Sequence, residues 1–289
     1  MGSVKDFFGI QPKSTGDEPK VYTPSDTALK MTVNARTNYD NTFYNVASTS
    51  TNLKILIIAT EQDCLEMANG KQFLTGNNPI EIFVPMLHWQ RAGFKFDFAT
   101  VNGKPVKLEH WAMPGQDENV ADIYNGYKDK LETPLSLKDI ANTLAKTNYF
   151  AVYIPGGHGV LSDLPFSTAL KKVLFWAVAN NKYIIASCHG PAALLAASID
   201  ENDKDFLFKG YQIVAFPDGT DKILPNLGYL PGQLSWFFGK ALESLGVEIV
   251  NKIPVGRVYQ DLKLITADSP MAANKLGRIS SELLLEDIS

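Results

Sequence analysis

The chain has 289 residues, 45% of them hydrophobic and 20% charged, with a formal net charge of −4 at pH 7. That length suits one large domain or two modest ones with a full hydrophobic core. The slight acidity supplies no basic face, so nucleic acid is not expected as the primary ligand.

The first eight residues, Met1 to Phe8, have no long apolar core, so no secretory signal is expected. Asp6 breaks the myristoylation pattern that Gly2 would begin. The longest uncharged run is interrupted by His189, Gly190 and Pro191 and reads as core, not as a membrane span. Two cysteines far apart in sequence make no disulfide framework and fit a cytoplasmic protein.

Residues 1–52 are rich in Ser, Thr, Asn, Asp and Lys and read as an arm or linker, ordered only where aromatics such as Phe43 and Tyr44 dock. Residues 53–289 read as one α/β domain. Leu53 to Ala59 is a near-continuous aliphatic strand, as in a parallel sheet covered on both faces. A polar loop with Cys64, Gly70 and Gly76 follows. The next helix has Asn78 as N-cap, Pro79 at its first position, Pro85 as a kink and Gly93 as its end. Phe94 to Ala99 alternates as a strand, and residues 102–134 read as an insertion or small cap.

A helix over Ser136 to Ala145 precedes the strand Tyr149 to Ile154. After Pro155-Gly-Gly-His-Gly159 come a helix from Ser167 to Asn180 and the strand Tyr183 to Ala186. Tyr211 to Phe216 reads as a strand, Pro217 to Asp221 as a turn, and Gly232 to Leu245 as a helix. Val247 to Val250 is a strand, Gly256 to Thr266 a hairpin turning at Gln260-Asp261, and Pro270 to Leu285 a final helix. Strands alternating with helices imply an α/β fold with a mostly parallel sheet.

The chemistry centres on Ser187-Cys188-His189-Gly190-Pro191. A β-forming run enters it and an Ala/Leu-rich run leaves it, so the chain must turn sharply from strand to helix. That is a nucleophile elbow carrying Cys. A helix N-terminus and an adjacent imidazole both favour thiolate there. The competing reading of Cys188 as a small core hydrophobe does not account for Cys-His-Gly-Pro at this junction.

A right-handed crossover would bring Gly156 and Gly157 to the same sheet edge as Cys188, outside the carboxyl ends of the strands. Their backbone could form an oxyanion hole with the His189 amide, and His158 could contact ligand, although a loop histidine is commonly just solvated. Asp221 could orient an imidazole, with Asp218 as its rival. Glu81 has two readings: a capping box with Asn78, or a proton shuttle beside the thiol.

Histidine order excludes other sites. Only His88, His110, His158 and His189 occur, so neither a papain-like site nor a Ser–Asp–His hydrolase can be built. No His/Cys pair has zinc-site spacing.

Gly76 to Glu81, Glu109-His-Trp-Ala-Met-Pro114, Pro155 to Gly159, Cys188 to Ala192 and Ala215 to Asp221 together carry a resemblance. From about residue 53 to 286 the sequence resembles the PfpI-type superfamily, with its class I glutamine amidotransferase-like fold. Within that superfamily it resembles the HchA branch of heat-shock chaperones, glutathione-independent glyoxalases and deglycases. Gly228 to Gly232, Gly256-Arg257 and Leu264 to Pro270 extend the match.

The resemblance implies a flavodoxin-like three-layer sandwich, a homodimer and a triad matching Cys188, His189 and Asp221, with Glu81 as acidic partner. Members can carry a two-His-one-carboxylate metal site, but the aligned positions are Gln90, Lys95 and Tyr127. No metal and no cofactor is therefore expected. As an enzyme, the chain would convert 2-oxoaldehydes such as methylglyoxal to 2-hydroxy acids, with deglycation of protein adducts using the same nucleophile. The alternatives are a holdase chaperone for unfolded clients and, more weakly, a cysteine aminopeptidase.

Overall fold

The aliphatic run at Leu53 to Ala59 forms the middle of the main sheet. The computed structural model of the protein describes residues 9–15, 21–45 and 53–288. In chain order it contains β1 (Lys13–Ser14), β2 (Val21–Thr23), α1 (Asp26–Thr32), β3 (Lys54–Ile58), β4 (Cys64–Glu66), β5 (Gln72–Leu74) and α2 (Pro79–Arg91). Then come β6 (Lys95–Thr100), α3 (Glu118–Glu132), β7 (Leu135–Ser136), α4 (Leu137–Ile140), β8 (Tyr149–Ile154), α5 (Thr168–Ala179) and β9 (Tyr183–Ser187). The remainder is β10 (Gln212–Ile213), α6 (Asp218–Asp221), α7 (Phe238–Ser244), β11 (Glu248–Ile249), β12 (Val258–Asp261), β13 (Leu264–Ala267) and α8 (Ala273–Glu286).

Seven strands lie in the order β12-β13-β9-β8-β3-β6-β7, all parallel except the edge hairpin β12–β13. Alternate residues of each strand face opposite layers, as the two-residue period of a strand requires. Ile55, Ile57, Tyr153 and Ile185 pack with Phe83, Met86 and Trp89 of α2 and Leu276 of α8. Leu56, Ile58, Val152, Ile154 and Ile184 pack on the other side with Leu170, Val173 and Leu174 of α5. This is the expected three-layer sandwich. Strand order reverses beside β3, so the carboxyl ends of β3, β8 and β9 open onto one crevice.

Several elements differ from expectation. The Ala/Leu run after the elbow is a 3-10 helix, Gly190–Ser198, buried along nearly all its length, so packing rather than helix propensity sets its geometry. Residues 211–216 do not join the main sheet. Only Gln212–Ile213 forms a strand, paired with β11. The amides of Val214 and Ala215 donate instead to side chains of Thr266 and Asn251. The expected helix from Gly232 begins only at Phe238, because Asn69 and Ala68 hold residues 231–233 in a loop. The helix expected over Ser136 to Ala145 is reduced to α4 and a short 3-10 turn.

Residues 102–134, expected as an insertion or small cap, hold the amphipathic helix α3, capped by Asp117. In the arm, α1 is capped by Ser25, and β2 joins β5 in a small separate sheet. Tyr44 docks as expected, bonding His88 Nδ1 at 2.7 Å, but Phe43 does not and is 83% exposed. The part of the arm assigned to residues 1–8, 16–20 and 46–52 lies outside the described residues. Among the described residues, no helix is long and apolar enough to cross a membrane.

Candidate active site

Cys188 directly follows β9 with φ of +55°, a left-handed conformation that a side chain adopts only under external constraint. The constraint is visible on both sides of it. Its amide donates to Ala267 O at 2.8 Å, and its carbonyl accepts from Phe216 N at 2.9 Å. Neighbouring segments thus hold the elbow in place.

His189 follows directly. Its Nδ1 lies 3.3 Å from Cys188 Sγ, and its Nε2 lies 3.0 Å from Asp221 Oδ2. Asp221 has only lone pairs to offer when ionised, so Nε2 carries the proton and Nδ1 faces the thiol as a base. Phe216 stacks on the His189 ring at 4.8 Å and fixes its plane.

The structure separates Asp221 from its rival. Asp218 accepts from the amides of Gly239 and Lys240 and caps α7. Asp221 is fully buried and accepts from His189 through Oδ2 and from His158 Nε2 through Oδ1, the latter also at 3.0 Å. Burial pushes its pKa up, but the two imidazoles outweigh that and hold it at about 2. His158 is therefore not the solvated loop histidine of the usual case. It is buried, with its ring 4.0 Å from that of His189.

Glu81 does not close a capping box. The Asn78 amide donates to Gly156 O at 2.9 Å, while Asn78 Oδ1 caps the helix at Ile80 N. Both Glu81 carboxyl oxygens are buried without a hydrogen-bond partner among the described residues. Burial pushes the Glu81 pKa well up, Glu109 adds to it, and the nearby Ser187 and Cys188 offset it only in part. Burial and the neighbouring Glu109 thus disfavour the charged form of Glu81.

Gly156 lies between Glu81 and Cys188. A methyl group on it would sit 2.5 Å from both Cys188 Cβ and Glu81 Oε2. Gly157 has φ of +107°, and a side chain there would collide with the Gly76 backbone. The glycine pair therefore has steric reasons that precede any binding role.

The helix-terminus argument for a stabilised thiolate is not what the site provides. Burial pushes the Cys188 thiol up, and the charges of Glu81, Asp221 and Glu109 push the same way when ionised. The burial that disfavours a charge on Glu81 weakens the first of these. The resting group is a thiol placed to give its proton to His189.

Sequence reasoning assigned no role to three further groups. Glu109 is buried, accepts from Thr75 Oγ1 at 2.8 Å and from the His158 amide at 3.3 Å, and is pushed up by burial despite His158. Tyr153 donates to the Glu81 carbonyl and contacts Ser187 Oγ. Phe73, Trp111 and Tyr229 form an aromatic wall over His158. Glu109, Trp111 and Tyr229 lie inside the motifs quoted above, which was the one available signal.

For a metal, His158, His189 and Asp221 are the group among the described residues with three ligand atoms in reach, within 4.8 Å of one another. They are engaged with one another as hydrogen-bond partners. Gln90, Lys95 and Tyr127 do not fit a zinc ion: an amide, an ammonium and a phenol packed on Phe96 replace imidazole and carboxylate.

Residues 73–282 match the DJ-1/PfpI family. The protein/nucleic acid deglycase HchA of Pseudomonas aeruginosa (strain UCBPP-PA14) is 44% identical over 272 residues, covering 93% of each chain. That of Escherichia coli (strain K12 / DH10B) is 40% identical over 269 residues, with the same coverage. Among solved structures, the 24 kDa rapid encystment protein of Francisella tularensis superposes with a TM-score of 0.66 at 21% identity, over 80% of this chain and 98% of its own. Glyoxalase III of Candida albicans gives 0.62 at 21% identity, over 79% and 97%. At such identities the structural likeness is one of fold, whereas the sequence kinship spans nearly the full chain. The chain belongs to the DJ-1/PfpI family, and within it to the HchA branch.

Proposed function

We propose that the chain is a glutathione-independent glyoxalase that converts methylglyoxal-type 2-oxoaldehydes to 2-hydroxy acids, with Cys188 as nucleophile. One observation carries this reading: the Cys188 thiol lies between a base, His189 Nδ1 at 3.3 Å, and the buried carboxyl of Glu81, which has no hydrogen-bond partner among the described residues. A plain hydrolase needs the base. An enzyme that moves a proton between adjacent carbons also needs a second group that can give a proton and take one back.

His189 takes the thiol proton as sulfur adds to the aldehyde carbon, C1, and Glu81 protonates the resulting alkoxide. Ionised Glu81, poorly solvated and hence strongly basic, removes the C1 hydrogen as a proton. The C–H electron pair becomes the C1–C2 double bond, and the C2 carbonyl pair moves to its oxygen. Glu81 returns the proton to C2, His189 delivers the former thiol proton to the C2 oxygen, and Glu81 regains its own from the C1 oxygen. The product is a thioester, which water cleaves to the 2-hydroxy acid and free thiol. Asp221 holds the His189 ring through the cycle and balances its transient charge. Gly156 lies against Cys188, and the Gly156-Gly157 backbone would serve as the oxyanion and substrate contact.

The same nucleophile would act on early methylglyoxal adducts of proteins, in keeping with the names of the relatives. Both cysteines are free, which suits a cytoplasmic location; a homodimeric state completes the proposal, and light scattering tests it. The decisive assay is lactate formation from methylglyoxal without glutathione, with Cys188→Ala as control. No lactate from the parent enzyme would remove the reading.

A further inference from the structure

Tyr229 enters the crevice from a segment supplied by neither the elbow nor the glycine loop. Its ring stands 5.9 Å from that of His158, 6.0 Å from Phe73 and 5.5 Å from Trp111, the last nearly perpendicular at 83°. The segment is fastened from several sides. The Tyr229 amide donates to Leu224 O at 3.1 Å, and Gly228 O accepts from Ser25 N at 2.8 Å. Gly228 has φ of +73°, and a side chain on it would collide with the Ile10 carbonyl. Asn69 Nδ2 holds Pro231 O at 3.2 Å, and Ala68 N holds Gln233 O at 2.9 Å. So many ties on a short loop hold the tyrosine rigidly.

The wall offers three side-chain donors, and two are committed. His158 Nε2 bonds Asp221, and Trp111 Nε1 donates to Leu74 O at 3.2 Å. Tyr153, the other phenol near Glu81, spends its hydroxyl on the Glu81 carbonyl and Ser187. The Tyr229 hydroxyl has no such engagement among the described residues. Its enclosure, together with Glu109, Cys188, Asp221 and Glu81, pushes its pKa well up, so it keeps the proton it needs to donate.

The chemistry has a matching need. Cys188, His189 and Glu81 account for attack and proton movement, but charge gathers on the C2 oxygen as the double bond forms. A neutral donor surrounded by acidic groups answers that need without adding a charge of its own. We propose that Tyr229 is a catalytic residue whose hydroxyl donates a hydrogen bond to the oxygen of the carbonyl adjacent to the one Cys188 attacks, so that the site selects vicinal dicarbonyls over simple aldehydes. This rests on the glyoxalase reading and extends it to specificity.

The test compares the parent enzyme with Tyr229→Phe, which keeps the ring contacts and should melt at the same temperature. Turnover is measured with methylglyoxal. In parallel, methylglyoxal and acetaldehyde compete with iodoacetamide for Cys188, read by mass spectrometry of the Cys188 peptide. Both aldehydes add reversibly to the thiol, but only methylglyoxal carries the second oxygen. The expected result is a fall in kcat/KM of roughly 10²-fold, the scale of one oxyanion donor, with protection by methylglyoxal weakened at least tenfold and protection by acetaldehyde unchanged. Equal protection by methylglyoxal in both enzymes, or a parallel loss for both aldehydes, would overturn the role of Tyr229. A parent enzyme that is protected by methylglyoxal but forms no lactate would instead overturn the glyoxalase reading, while the protection ratio still decides Tyr229.

Discussion

Glu81 and Cys188 face each other across Gly156, at which a single methyl group would touch both. The acid has no hydrogen bond among the described residues, its helix is capped by Asn78, and the Asn78 amide is taken by Gly156 O. Leaving a buried carboxyl unpaired costs stability, on the order of 1–3 kcal/mol for a polar group. Such a cost beside Cys188 is what a functional role for Glu81 would require.

Glu81→Gln should therefore separate activity from stability. Turnover of methylglyoxal should fall by roughly 10²–10⁴-fold, since glutamine keeps the shape but transfers no proton. Stability should move the other way with a defined pH dependence. Below the ordinary glutamate value near 4.5, folded and unfolded Glu81 are both protonated. Above it the unfolded chain releases the proton while the folded chain keeps it, so the parent loses about 1.4 kcal/mol per pH unit until the raised folded pKa is reached. Thermal melting should show Glu81→Gln equal to the parent at pH 4 and more stable at pH 7. A variant less stable than the parent at pH 7 would contradict the burial argument.

Alkylation of Cys188 should report a thiol, not a preformed thiolate. In the resting enzyme its rate with iodoacetamide should climb through neutral pH and keep climbing past the value of an ordinary thiol, because burial opposes the anion. A plateau already reached at pH 6 would show a stabilised thiolate and refute this.

Gly156→Ala tests the contact itself. Its Cβ would need about an ångström more room than Cys188 and Glu81 leave. The variant should lose most turnover and about 1–3 kcal/mol of stability in urea titrations. Near-parental turnover would mean that the acid and nucleophile need not be so close.

His158→Asn removes one of two imidazoles from Asp221 and leaves the other hydrogen bond intact. We expect kcat to fall roughly tenfold, near the worth of one charged hydrogen bond, with Cys188 still alkylated. His189→Asn should abolish turnover. Similar residual rates in the two variants would show that the imidazoles share the base role.

Chelators should leave both turnover and melting temperature unchanged, because Gln90, Lys95 and Tyr127 do not form a zinc ligand set. One tightly held zinc per chain by elemental analysis would reverse that reading.

How much of this was legible in the sequence depends on how local each signal is. The near-continuous apolar runs at 54–58, 149–154 and 183–187 specified parallel strands covered on both faces, because that signal is carried by adjacent residues. Cys-His-Gly-Pro marked the elbow for the same reason. The ends of elements were less legible: Phe238 begins α7 because Asp218, twenty residues earlier, caps it.

By itself, the sequence determined the sandwich, the order of its strands along the chain and the four groups Cys188, His189, Asp221 and Glu81 as candidates. Only the tertiary structure decided what each of them does with its polar atoms. Glu81 and Asn78 fit a capping box by spacing, yet Gly156, from another strand end, takes the amide and leaves the acid unpaired. Asp218 and Asp221 are three residues apart, and packing sends one to a helix end and the other to two imidazoles. Glu109 and Tyr229 reach the crevice from loops far along the chain. Hydrogen bonds and burial are properties of partners that folding brings together from distant segments, so spacing can nominate these residues, and only the fold can assign them.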